Sequence, residues 1–154
     1  MLYAWLKLIH IISATLLFGT GLGSAFYLYC ADRSKNIHAI AFAARKVVLA
    51  DFIFTTPAVI IQPLTGFMMA AQVHYVLTSQ WIMVSLLLYV LTGLCWLPVV
   101  WLQIRIRDIA ESALLTQSVL PHLYYRYIRF WFWLGWPAFI SVLIIFYLMV
   151  FKPI

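Results

Sequence analysis

The sequence predicts an all-α integral membrane four-helix bundle, and three observations carry that prediction. Hydrophobic residues make up 66% of the 154 positions and charged residues only 9%, against about 25% charged in soluble domains. Four apolar runs each approach the ~20 residues with which a helix crosses a ~30 Å hydrocarbon core. Eight of the ten Lys and Arg residues crowd into two short segments between those runs. No soluble fold of this length hides so much apolar surface, so the solvent for most side chains is the lipid bilayer. The net charge of +6 has no stacking or phosphate-cradling motif beside it. Membrane topology explains its clustering, and nucleic acid is not a partner.

The first span covers residues 3–30. Its apolar run from Leu8 to Cys30 exceeds the 7–15 residues typical of a signal-peptide core, and the positive charge follows it rather than precedes it. It therefore stays as a span. The connection after it holds Arg33, Lys35, Arg45 and Lys46, and Asn36 is placed to cap an early start of the second helix. Span two covers 48–72. Pro57 and Pro63 within it, with Gln62 and Thr65 nearby, predict a kinked helix whose freed carbonyls need partners. The polar stretch from Gln72 to Gln80 makes the next turn, anchored at the interface by Tyr75 and Trp81.

Span three covers 81–103. Beyond it Ile104, Ile106, Ile109, Ala113 and Leu114 interleave with Arg105, Arg107, Asp108 and Glu111, so the helix continues past the membrane. Pro121 is suited to the first position of a fourth helix, whose span covers 130–151. Cys30 and Cys95 fall at different depths and do not pair. One transmembrane domain accounts for 1–154. The second connection carries no cation, whereas the first and third carry eight. The positive-inside rule places those two in the cytoplasm and both termini outside, in a bacterial inner membrane.

His10 is the first candidate for chemistry. It lies about 10 Å below the outer end of span one, and an ionisable side chain at that depth is a functional candidate by default. Imidazole suits haem iron and copper alike. Lys7 sits one turn nearer the surface, where an ammonium can pair with a porphyrin propionate. The alternative is a His10 hydrogen-bonded to a neighbouring helix and a Lys7 that snorkels to lipid phosphate. A second haem ligand is offered at matching depth only by Met68 or Met69. His38 and His122 belong to the basic end, and His74 lies at the outer turn above His10, where it joins Met68 and Met69 in the copper alternative.

Gly19 and Gly23 form a GxxxG pair, the usual helix-packing pattern of membrane spans. Asp51 opens span two at the inner interface. It is either an acid paired with Arg45 or Lys46 or a carboxylate for proton transfer. The run from Tyr124 to Trp136 is rich in aromatics and surrounds Arg126 and Arg129, as an interface belt or a cation–π cluster. No nucleophile, phosphate-binding or paired-carboxylate motif appears, so catalytic residues are not identified.

Several of these segments carry a resemblance. Leu8, Ile9 and His10 with the run Gly19 to Gly23, Asp51 with Thr55, Thr56 and Pro57, and the stretch Gln62 to Gly66 belong to it. So do Trp96 to Pro98, Trp133 to Phe139 and Met149 to Pro153. Together they resemble a family of bacterial integral membrane proteins known as a domain of unknown function. That family is distantly similar to HemJ-type protoporphyrinogen oxidases, which bind haem b and have a His in the first helix, and to CopD-type copper-resistance membrane domains. The first likeness implies a haem-b redox protein with His10 on the iron. The second implies copper handling. A non-enzymatic assembly subunit, forming a homo-oligomer or docking a membrane-protein partner through its glycine face, is the third expectation.

Overall fold

A computed structural model describes residues 1–153. Helix α1 spans Leu2–Ser34 and α2 spans Ile37–Ala50; a π-helical turn follows at Asp51–Thr55, then α3 at Thr56–Gln72, α4 at Gln80–Leu115 and α5 at His122–Phe151. From Ile37 to Gln72 the chain runs without a break, so four helices are long and apolar enough to cross a membrane. The predicted all-α bundle is the observed one, with no strand among the described residues.

The helices outrun the hydrophobic spans at the basic end, as the charge interleaving predicts. Asn36 caps α2 with its side-chain oxygen, which accepts from the backbone N–H of His38 at 2.9 Å and of Ala39 at 3.3 Å. Pro121 takes the N-cap position, one residue before the helix proper. Its lack of an N–H costs nothing at a place where that donor has no partner anyway.

Helix α4 packs along α5, α2 packs on α4, and α1 lies against α2, the π turn and α3. The best-buried core sits at the basic end, where Leu28, Ile40, Ala44, Ile106, Ala110 and Tyr124 meet. Alanines there let backbones approach closely. The Tyr124 hydroxyl donates to Asp32 at 3.1 Å, and Arg45 Nε donates to Glu111 at 2.8 Å. Towards the opposite end the bundle opens into two pairs, α1 with α3 and α4 with α5. Phe18 bridges them by stacking on Phe139 with ring centroids 5.3 Å apart. The 73–79 turn is held by Lys152, whose Nζ donates to the Tyr75 hydroxyl at 2.9 Å and lies 5.7 Å from the Trp81 ring.

The carbonyl freed by Pro63 finds a partner, as chemistry dictates. Pro63 has no N–H for the carbonyl of Val59, four residues earlier. The Tyr89 hydroxyl of α4 donates to that carbonyl at 2.5 Å. Upstream, the π turn adds a wider loop in which Thr56 Oγ1 donates to the Asp51 carbonyl at 3.1 Å.

Candidate functional site

Polar residues on α1 recur at helical spacing: His10, Ser13, Thr20 and Ser24 share one stripe with the buried Leu6 and Leu28. Span two offers a matching stripe of Asp51, Thr55, Ala58, Gln62 and Thr65. Because α1 packs on α3 and the π turn, the two stripes meet inside the bundle.

His10 stands at the end of this seam nearer the termini, half-buried, with both ring nitrogens engaged. Nδ1 lies 2.8 Å from Thr65 Oγ1, and the Gln62 side-chain amide lies 3.0 Å from Nε2. The Thr65 hydroxyl donates to the carbonyl of Ile61 at 2.8 Å, with that of Gln62 at 3.1 Å. Having only one proton, it accepts from the ring, which makes Nδ1 the protonated nitrogen and Nε2 the acceptor from Gln62. The buried Ser13 hydroxyl stands between the Gln62 side-chain carbonyl oxygen and the His10 backbone carbonyl, 3.0 Å from the latter. The imidazole is thus oriented, with both ring nitrogens engaged by its own chain. Gly66 completes the seat: a Cβ there would sit 3.4 Å from His10 Cε1, so the ring lies against bare backbone.

Lys7 is exposed on the lipid side and does not touch His10. Lys35, Lys46 and Lys152 each lie over an aromatic ring. Lys7 has no hydrogen-bond, ion-pair or cation–π partner among the described residues. Met68 is exposed, as are His74, His38 and His122. No three His, Cys, Asp or Glu residues come together among the described residues. The expected pairing of Arg126 or Arg129 with an aromatic ring is also absent among the described residues; Arg105 over Trp101, 5.5 Å from the centroid, takes that role.

Asp51 is bound differently from the ion pair considered for it. Its carboxylate accepts from Gln103 Nε2 at 2.9 Å and from Trp96 Nε1 at 3.3 Å, both on α4. Arg45 bridges Glu111, and Lys46 lies over the Phe42 ring. The reason is helical phase: neither cation stands three or four residues from Asp51, so neither shares its face. The donors that hold this carboxylate are neutral. Gln103 itself is buried.

Gly19 and Gly23 lie on the opposite side of α1 from His10, and a Cβ at either would meet nothing within 4 Å. Within the chain they pack against no helix. A groove of about 420 Å³ opens instead at the basic end, lined by Arg105, Asp108, Ser112 and Tyr127.

Ser13, Tyr89, Trp96 and Gln103 are the site residues that sequence reasoning leaves unassigned. Only the three-residue spacings of His10 with Ser13 and of Gln62 with Thr65 hint at them. A family model described as a predicted integral membrane protein, DUF2269, matches residues 4–153. No curated protein and no solved structure matches the chain.

Proposed function

The chain belongs to the DUF2269 family of predicted integral membrane proteins, and we propose that it is a bilayer redox protein in which His10 would hold a b-type haem. The observation that carries this reading is the way the imidazole is held. Thr65 fixes the ring and its tautomer through Nδ1, as second-shell partners do for metal-bound histidines. That leaves Nε2, the nitrogen with the lone pair, facing only a neutral amide on a side chain able to rotate. Gly66 leaves bare backbone beside the ring, and Lys7, without a partner among the described residues, would supply a cation for a propionate. The residues therefore fit one protein ligand, with Gln62 giving up Nε2 on binding. A bound haem would supply one-electron chemistry. The chain's own part is to orient the imidazole and hold the site in an apolar medium.

The same reading places the protein in a bacterial inner membrane with its two basic connections in the cytoplasm. The decisive experiment is the visible spectrum of the detergent-purified protein after haem-replete expression. A Soret band that disappears in His10→Ala is the expected result; a colourless wild-type protein sinks the reading. Gln62→Ala, which frees Nε2, is expected to raise haem occupancy, and metal analysis of the same sample detects copper if that is the ligand instead. A second reading, an assembly subunit, has one observation in its favour: the Gly19 and Gly23 face is open. It predicts a co-purifying partner that Gly23→Leu releases.

A further inference from the structure

The His10 cluster and Asp51 stand towards opposite ends of one face of span two, with Thr55 and the small, buried Ala58 between them. Thr55 lies between them with its hydroxyl buried and without a hydrogen-bond partner among the described residues; the residue is only 6% exposed. A buried hydroxyl left unpaired costs about 1–3 kcal/mol, and an ordered water is the simplest partner for it. The antiparallel register points the same way. The contacts of His10 with Thr65 and Ser13 with Gln62, continued inward at equal rise, bring Thr20 level with Thr55 and Ser24 level with Asp51. Polar residues therefore stand at four shared levels of α1 and span two; the two outer levels are hydrogen-bonded, and the Asp51 carboxylate turns to Trp96 and Gln103 of α4.

From Asp51 to Thr65 this seam covers about 21 Å at 1.5 Å per residue, out of a ~30 Å hydrocarbon core. Asp51 is held by neutral donors alone, so protonating it breaks no ion pair. It also opens the π turn, a helix irregularity that is frequent at functional sites. A seam between two membrane helices that holds an acid, a histidine and hydroxyls is a physical form of proton route.

We propose that this face is a water-bridged proton path between Asp51 and His10. The Asp51 carboxylate takes a proton from water at the basic end, forming the O–H bond of the neutral acid. That O–H bond breaks as the proton passes to water held on Thr55, and the carboxylate is restored. The proton then moves along water and hydroxyls to the His10 cluster and leaves to water at the end where the termini lie. Only O–H and N–H bonds change, and no electron is transferred. The path goes beyond the haem reading and does not depend on it.

The test uses the full chain in vesicles of neutral lipid that hold a pH-sensitive dye, with a potassium diffusion potential set by valinomycin. Wild-type protein is expected to pass protons above the protein-free background. Asp51→Asn and Thr55→Val should each return the flux to that background, while Thr55→Ser and Lys46→Gln retain it. Thr55→Val keeps the shape of the side chain and decides the matter if Asp51→Asn fails to insert. A wild-type flux at background, or a flux undiminished in both Asp51→Asn and Thr55→Val, overturns the proposal. Neither outcome depends on a Soret band.

Discussion

Gln62 occupies the pivotal position, because its amide joins the imidazole of His10 to the hydroxyl of Ser13. Gln62→Ala leaves Nε2 of the half-buried imidazole without its partner, while the buried Ser13 hydroxyl keeps the His10 carbonyl at 3.0 Å. The expected loss is about 1–3 kcal/mol, measurable as a lowered unfolding temperature in detergent. Gly66 offers a graded test. A single Cβ at 3.4 Å from His10 Cε1 is ordinary contact, so Gly66→Ala is expected to be tolerated. Gly66→Leu overpacks the seat by about 1–3 kcal/mol and displaces the ring. The importance of His10 is legible in the sequence, since an intramembrane imidazole is expensive wherever it lies. Its partners are not. Which face of span two meets α1 depends on a register that no local pattern of residues encodes.

The helices themselves are the most legible level. Length, hydropathy, the Asn36 cap and the Pro121 start are all local signals. The two caps fall within a residue of an observed boundary. Hydropathy places the helix ends remote from the basic end within a residue while stopping well short of the basic ends. The need of the carbonyl freed by Pro63 for an outside donor is likewise written in the chain, although Tyr89 as the donor is not. That contact makes a sharp prediction. Tyr89→Phe is expected to cost about 1–3 kcal/mol by stranding the Val59 carbonyl. In a Pro63→Ala background the residue-63 N–H reclaims that carbonyl, so the same substitution should then cost far less. A double-mutant cycle on thermal unfolding checks this. The π turn escaped sequence reading for a physical reason: it needs one residue more than an α-helix at that point, and nothing in the composition of Asp51–Thr55 marks the surplus.

At the scale of the molecule the chain divides into a tightly packed basic end and an opposite end of two helix pairs. Ile106, fully buried in the first, should lose about 2–5 kcal/mol on change to Ala. By contrast, Gly19→Leu and Gly23→Leu are expected to leave the unfolding temperature unchanged, because nothing in the chain stands within 4 Å of the added carbon. The sequence shows how many helices there are and what solvent they meet. It does not show that the glycine face points away from the bundle, since small residues suit an inner seam and an outer docking face equally well. The π turn lies at the boundary between the two ends and acts on their angular phase. Because the wide turn already absorbs one residue more than an α-helix needs, deleting one residue within Asp51–Thr55 would close it to ordinary α-helix and leave Gln62 and Thr65 facing His10. Adding one residue would instead turn everything after it by about 100° about the helix axis and swing Gln62 and Thr65 towards lipid. The surplus residue therefore works like slack in a gear train, taken up in one direction only.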